Sequence, residues 1–225
     1  IGADLILGSI RVLRSIVMRS PLWGTVMAII FGMLFWGGFN WSLELTNTES
    51  FCVSCHAMRD YVFKEYKRTI HYNNRTGVRA SCPDCHVPRE WVHKVVRKVQ
   101  ATNELYHWLR GSIDSPEAFE AKRGVLASQV WSAMSETRSR ECRNCHDVEF
   151  MAKAKQSNPA RVMHDLGVRW NMTCIDCHKG VAHTLPEDFD ASAAMDALHD
   201  RFEAEKIVCR QCHEEMVKAP SGQSW

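Results

Sequence analysis

Cys52–Val53–Ser54–Cys55–His56 decides how this chain is read, because its pattern returns four more times. The repeats are Cys82–Pro83–Asp84–Cys85–His86, Cys142–Arg143–Asn144–Cys145–His146, Cys174–Ile175–Asp176–Cys177–His178 and Cys209–Arg210–Gln211–Cys212–His213. Together they use all 10 cysteines of the 225 residues. Cys-x-x-Cys-His is the attachment pattern of c-type haem: two thioethers fix the porphyrin and the adjacent histidine ligates iron. A single Cys-x-x-Cys is also a zinc half-site, and ten cysteines in an exported domain also suit a disulfide framework. Neither accounts for a histidine after every second cysteine. Five covalently bound haem c groups are therefore expected, in a chain that works as a wire for electrons.

The composition is 45% hydrophobic and 24% charged, with a net charge of +2. Much of the hydrophobic content lies near the N-terminus, and what remains is thin for an ordinary core, so the macrocycles are expected to supply one. From Ser20 to Leu43 no residue is charged, and such a stretch spans a bilayer as a helix. Arg11, Arg14 and Arg19 precede it, which places that end in the cytoplasm by the positive-inside rule; Trp23, Trp36 and Trp41 suit interfacial positions. A cleaved signal peptide fails on length and on the lack of a small-residue cleavage pattern before Thr46. The expected location is the bacterial inner membrane, single-pass, with everything after Thr46 in the periplasm. Residues 1–19 hold a further amphipathic stretch (Leu5, Ile6, Ile10, Leu13, Val17) suited to the inner membrane surface. Nothing supports nucleic-acid binding.

The first cysteines of successive motifs stand 30, 60, 32 and 35 residues apart. Two close pairs around a longer insert suggest a duplicated di-haem module. His71 and His164 lie inside the pairs, and His93 and His183 follow them. The insert, roughly residues 88–140, reads as two helices. Pro88 and Arg89 open the first. Trp91, Val92, Val95, Val96 and Val99 form one face and Lys94, Arg97 and Lys98 the other. That helix either packs on a haem or lies at the membrane surface. Gly111 ends it, and Ser115–Pro116–Glu117 starts the next. The expected fold is mainly α with extensive loops: one N-terminal transmembrane helix, then a multihaem cytochrome c domain built from a duplicated di-haem module and an added fifth haem. The expected divisions are 1–19, an anchor at 20–45, a tetrahaem domain at 46–186 and a fifth-haem extension at 187–225.

Several runs resemble the NapC/NirT family of membrane-anchored multihaem quinol dehydrogenases, over roughly residues 20–186. They are the single N-terminal anchor, residues 49–58 (Glu-Ser-Phe-Cys-Val-Ser-Cys-His-Ala-Met), Phe119–Glu120–Ala121–Lys122–Arg123, Cys142–Arg143–Asn144–Cys145–His146, and residues 174–183 (Cys-Ile-Asp-Cys-His-Lys-Gly-Val-Ala-His). The family's pentahaem branch serves trimethylamine N-oxide and dimethyl sulfoxide reductases, but carries its fifth haem in a more distant C-terminal domain. Here Cys209 follows Cys174 by only 35 residues. That departure leaves the subfamily and the terminal partner open.

The resemblance implies ligands and a substrate site. Met58, two residues after His56, stands where the family's methionine ligates the first haem; the alternatives are His56 as ligand and Met58 as packing. His183 is implied for the second haem, His71 for the fourth and His164 for the third, opposite the motif histidines His86, His178 and His146. For the fifth, opposite His213, His199 competes with Met195 and Met216. Quinol oxidation also needs a base and a cation near the first haem. The family places a lysine and a carboxylate six or seven residues apart after the second motif, and Lys98 and Glu104 stand six apart. Either can equally belong to a solvated helix face. His107 and Trp108 are near enough to line the same pocket, with His93 and Lys94 as weaker candidates.

Residues 187–215 hold nine acidic and three basic side chains, a net −6 that leaves +8 elsewhere. This is either an ordinary solvated helix or an acid-framed exit haem that steers a basic partner. The expected activity is oxidation of membrane menaquinol or ubiquinol, with electrons leaving to a periplasmic reductase or soluble cytochrome. The expected partners are the bilayer, the quinol pool and that acceptor, with a homo-oligomer or a larger complex also open. Three alternatives stand beside it: a relay subunit with quinol handled elsewhere, flow in reverse into the quinone pool, and an enzyme reducing an oxyanion itself. No motif replaces its histidine by lysine, so no open iron site is advertised.

Overall fold

A computed structural model describes residues 21–214. The segment 1–19, with its arginines and amphipathic stretch, lies outside the described residues, as does Met216. Among the described residues the chain is helical with extensive loops and has no strand. It divides into two compact units, Ile1–Phe51 and Cys52–Trp225.

The described part of the first unit is dominated by α1, Pro21–Leu45. Pro21 sits at its start, where a missing N–H costs nothing. Its 25 residues are long and apolar enough to cross a membrane, since a helix of that length reaches about 38 Å against a hydrocarbon core of about 30 Å. Leu22, Trp23, Phe31, Leu34 and Trp41 are exposed along it. A helix that is apolar all round is suited to lipid.

Among the described residues the second unit carries four longer helices joined by loops and short helical turns. α2 is Trp91–Leu109, α3 Pro116–Glu136, α4 Asn158–Arg169 and α5 Ala191–Ala204. The helix signals of the insert are realised with a small shift: Glu90, rather than Pro88, caps α2. Gly111 ends that helix with φ +62°, a left-handed conformation that glycine takes without steric cost. Ser115 Oγ accepts the Ala118 N–H to start α3, with Pro116 in the first turn. Ser157 and Asp190 cap α4 and α5 in the same way.

Protein alone supplies little core to this unit. Its buried apolar side chains, among the described residues, are Ala57, Tyr66, Phe119, Leu166 and Ile175. So few cannot organise a domain of this length, and large apolar groups held by the motifs are a natural complement.

Buried polar groups set local junctions instead. Ser139 is wholly buried and sits at φ +52°, next to Arg138 at φ +56°. Its Oγ accepts from Ile175 N at 3.1 Å and from Thr173 Oγ1 at 2.7 Å. The turn before the third motif is thereby tied to the start of the fourth, which offsets the cost of two successive left-handed residues.

Candidate haem centres

The motifs adopt two local forms. Cys82–His86 and Cys174–Cys177 are short helices with matching capping boxes. In one, Asp84 Oδ2 accepts Ser81 N at 2.8 Å; in the other, Asp176 Oδ2 accepts Thr173 N at 2.8 Å. The third and fifth motifs instead form 3₁₀ turns, Cys142–Asn144 and Cys209–Gln211. After the first motif the chain enters a π-helical turn, Met58–Val62, a rare element that concentrates at functional sites.

Four motif histidines each face a second imidazole. Ring centres lie 6.2 Å apart for His86 and His183, 6.2 Å for His71 and His146, 6.0 Å for His164 and His178, and 6.4 Å for His199 and His213. These gaps suit a ligated metal. With metal–nitrogen bonds of about 2.0 Å, and each nitrogen about 1.1 Å from its ring centre, two coaxial imidazoles stand about 6 Å apart. The residues present thus fit iron held between paired histidines. Two of the exchanged positions differ from the family-based expectation: His71 faces His146 of the third motif rather than the fourth, and His164 faces His178 of the fourth rather than the third. The physical reason is local. His164 is carried by α4, directly before the fourth motif, whereas His71 reaches across 75 residues of sequence to the third.

Hydrogen bonds at Nδ1 hold two of these rings. His164 Nδ1 meets Gln156 Oε1 at 2.8 Å, and His199 Nδ1 meets the Met195 carbonyl at 3.0 Å. Both bonds restrain the ring through Nδ1, as ligating histidines commonly are. Nδ1 of His71 and of His183 is buried, and that of His71 has no hydrogen bond. Burial pushes the His86 pKa down to about 4, and His183 opposite pushes it the same way. Burial also depresses His183 and His178 below the ordinary imidazole value. Neutral imidazole is the form that ligates metal. His56 has no facing histidine among the described ring pairs; Met58, two residues on, is 39% exposed.

The centres are contiguous. Cys52 and Cys82 thiols are within hydrogen-bonding reach of one another, and so are Cys142 and Cys174. Cys85 lies within the electrostatic influence of Cys142 and Cys145, which joins the second motif to the third. The fifth is held on α4: Asn158 Nδ2 donates to the Gln211 carbonyl at 2.6 Å, Arg169 pairs with Glu205 at 3.1 Å, and Trp170 stacks on Phe202 with ring centres 5.6 Å apart.

The charges of Lys98 and Glu104 are felt at the first motif. Lys98 lowers the Cys52 thiol pKa and Glu104 raises it, after the larger effect of the Cys82 hydrogen bond. Sequence reasoning missed Arg97 at this place: its Nη2 binds Glu104 Oε1 at 2.6 Å. The signal was present, since residues seven apart share a helix face. His107 Nδ1 is 3.2 Å from Ser112 Oγ, at the end of α2.

Comparison with known proteins gives a consistent answer. The profile of the NapC/NirT cytochrome c family, N-terminal region, matches residues 16–188. The chain is 55% identical over 181 residues to the denitrification system component NirT of Stutzerimonas stutzeri, covering 80% of this chain and 90% of that protein. It is 53% identical over 166 residues to the cytochrome c-type protein NapC of Escherichia coli K12, covering 73% and 83%. It is 46% identical over 146 residues to the cytochrome c-type protein TorC of the same strain, covering 64% of this chain and 37% of that one. No solved structure matches significantly. With five Cys-x-x-Cys-His motifs and a family profile spanning most of its length, this chain belongs to the NapC/NirT cytochrome c family, the membrane-anchored electron-transfer cytochromes with covalently bound haem c.

Proposed function

We propose that this chain is a membrane-anchored pentahaem quinol dehydrogenase that passes electrons from membrane quinol to a periplasmic reductase or cytochrome. The observation that carries this reading is the unbroken succession of centres, beginning where Lys98 and Glu104 lie by Cys52 and ending at the exposed His199–His213 pair. Haem c supplies one-electron carriage at each centre. Each pair of cysteines, 52/55, 82/85, 142/145, 174/177 and 209/212, attaches one macrocycle. The irons would be held between His86 and His183, His146 and His71, His178 and His164, and His213 and His199. At the first centre Met58, presented by the π-helical turn, is the ligand in place of His56.

At the quinol site, Glu104 accepts a proton from a quinol hydroxyl and Lys98 stabilises the oxygen left with negative charge. The repeated capping boxes of the second and fourth motifs, and the paired first cysteines in each half, support a duplicated di-haem module with a fifth centre added. The domains follow: anchor at 20–45, tetrahaem domain at 46–186, extension at 187–225. α1 fixes the protein in the inner membrane with the haem domain on the periplasmic side. Electrons leave through the fifth centre, where the acidic extension steers a basic surface of the acceptor.

The test is a chain lacking the fifth attachment site, Cys209→Ala/Cys212→Ala. Reduction by a soluble quinol analogue is expected to match the parent, while delivery to a soluble acceptor slows at least tenfold. Unchanged delivery would remove the fifth centre from the exit path.

A further inference from the structure

Arg123 is only 7% exposed, yet it carries a charge that no haem reading uses. Its Nη2 and Nη1 bind the two oxygens of Glu65 at 2.6 and 3.1 Å. Nε and Nη2 bind Glu120 at 2.6 and 2.7 Å. Nη1 also donates to the Thr184 carbonyl at 3.2 Å. The guanidinium lies 4.6 Å from the centre of the Phe119 ring, which stacks on Tyr61. Planar, always charged and forked, arginine is the residue that can serve two carboxylates and a carbonyl at once.

The far side of this cluster reaches His183. Glu65 Oε2 accepts the Thr184 N–H at 3.0 Å. The same oxygen stands 4.0 Å from His183 Nδ1. The residue after His183 is thus held at its N–H by Glu65 and at its carbonyl by Arg123. His183 is buried, and besides Glu65 the Val62 backbone bears on it as a hydrogen-bond partner, while the ring faces His86 with centres 6.2 Å apart. At that distance Glu65 acts on the ring by its charge, and it places the ring through the Thr184 backbone it holds. Tyr61, Glu65 and Phe119 come from two segments distant in sequence, so the cluster positions the loop of His183 against both.

We propose that Glu65, clamped by Arg123, is a positioning residue for His183 and sets the potential of the second haem. This rests on the reading of His183 as an axial ligand. The negative charge beside the ring favours the oxidised iron, so removing it moves that potential upward. A brace that merely joined α3 to residues 63–66 would change stability and leave the potential alone.

The experiment is a spectropotentiometric titration, with low-temperature electron paramagnetic resonance, on parent, Glu65→Gln and Glu65→Asp proteins that retain five haems by mass and pyridine haemochromogen. One step is expected to move to more positive potential in Glu65→Gln and to return toward the parent in Glu65→Asp. In a His183→Met background the Glu65→Gln change is expected to move nothing further. Titrations and spectra identical in all Glu65 variants, with only a lower melting temperature, overturn the proposal. Should Glu65→Gln lose haem, Arg123→Lys is read in the same way, and an unmoved step there overturns it too. If His183→Met by itself leaves every low-spin signal intact, it is the ligand assignment that fails, and the role of Glu65 falls with it.

Discussion

Arg97 Nη2 and Glu104 Oε1 meet at 2.6 Å across two turns of α2, beside the first haem motif. Arg97 is 30% exposed and Glu104 64% exposed, and such a pair contributes at most about 1 kcal/mol to stability. Its consequence is placement: the guanidinium directs the carboxylate along α2. Arg97→Gln is therefore expected to slow quinol-driven haem reduction about tenfold while shifting unfolding by less than about 1 kcal/mol. Stopped-flow absorbance and thermal denaturation check the two halves separately. A normal rate would leave Arg97 an ordinary surface cation.

Ser139 makes the opposite prediction, a structural one. Ser139→Ala strands the Ile175 N–H and removes the bond from Thr173. The expected loss is about 1–3 kcal/mol, the cost of a buried donor left unpaired. Denaturant unfolding of the fully haem-loaded protein measures it. The loss should appear with all haem potentials unchanged.

Glu120 gives a pH dependence with a definite sign. The hydrogen bond from Arg123 holds its carboxyl below the ordinary glutamate value of 4.5. A depressed carboxylate pKa contributes stability that is present above the unfolded value and lost as pH falls through the folded one. The melting temperature of the parent should thus exceed that of Glu120→Gln at neutral pH, and the difference should close below about pH 4.5. A gap that persists at acid pH would mean the side chain acts by shape alone.

The exchanged pairing of His71 and His164 is also testable. His71→Met should alter the third haem and His164→Met the fourth. In a chain already lacking the third attachment site, Cys142→Ala/Cys145→Ala, replacing His71 should leave the remaining low-spin spectrum untouched. New high-spin signal there would restore the family-based pairing.

On α5, Asp196, Asp200 and Glu203 fall at spacings of four and three, a single stripe next to His199. If this stripe guides the acceptor, oxidation by tris(phenanthroline)cobalt(III), a cation, should slow as salt rises, and ferricyanide should show the reverse. Asp196→Lys/Asp200→Lys should exchange the two trends.

Much of this was legible in the sequence because it is local. The attachment motifs, the uncharged run of α1, the cap at Ser115 and the stop at Gly111 each depend on a handful of neighbouring residues. The facing histidines were harder. Which ring meets which depends on the path of the chain between them, and spacing carries no such information. His71 and His146 illustrate this, as does the Arg123–Glu65 bond across 58 residues. The π-helical turn at Met58 has no sequence signal that the propensities of its residues reveal. The Arg97–Glu104 pair is local too, since residues seven apart share a helix face.

The most direct test mixes oxidised, fully haem-loaded protein with a soluble quinol analogue and follows haem absorbance by stopped flow. Parent, Glu104→Gln and Lys98→Ala are run side by side. Fast reduction in the parent and loss of about tenfold or more in each variant is expected for a base and a cation acting at the quinol. An unreduced parent would contradict quinol oxidation by this chain and place that chemistry in another subunit.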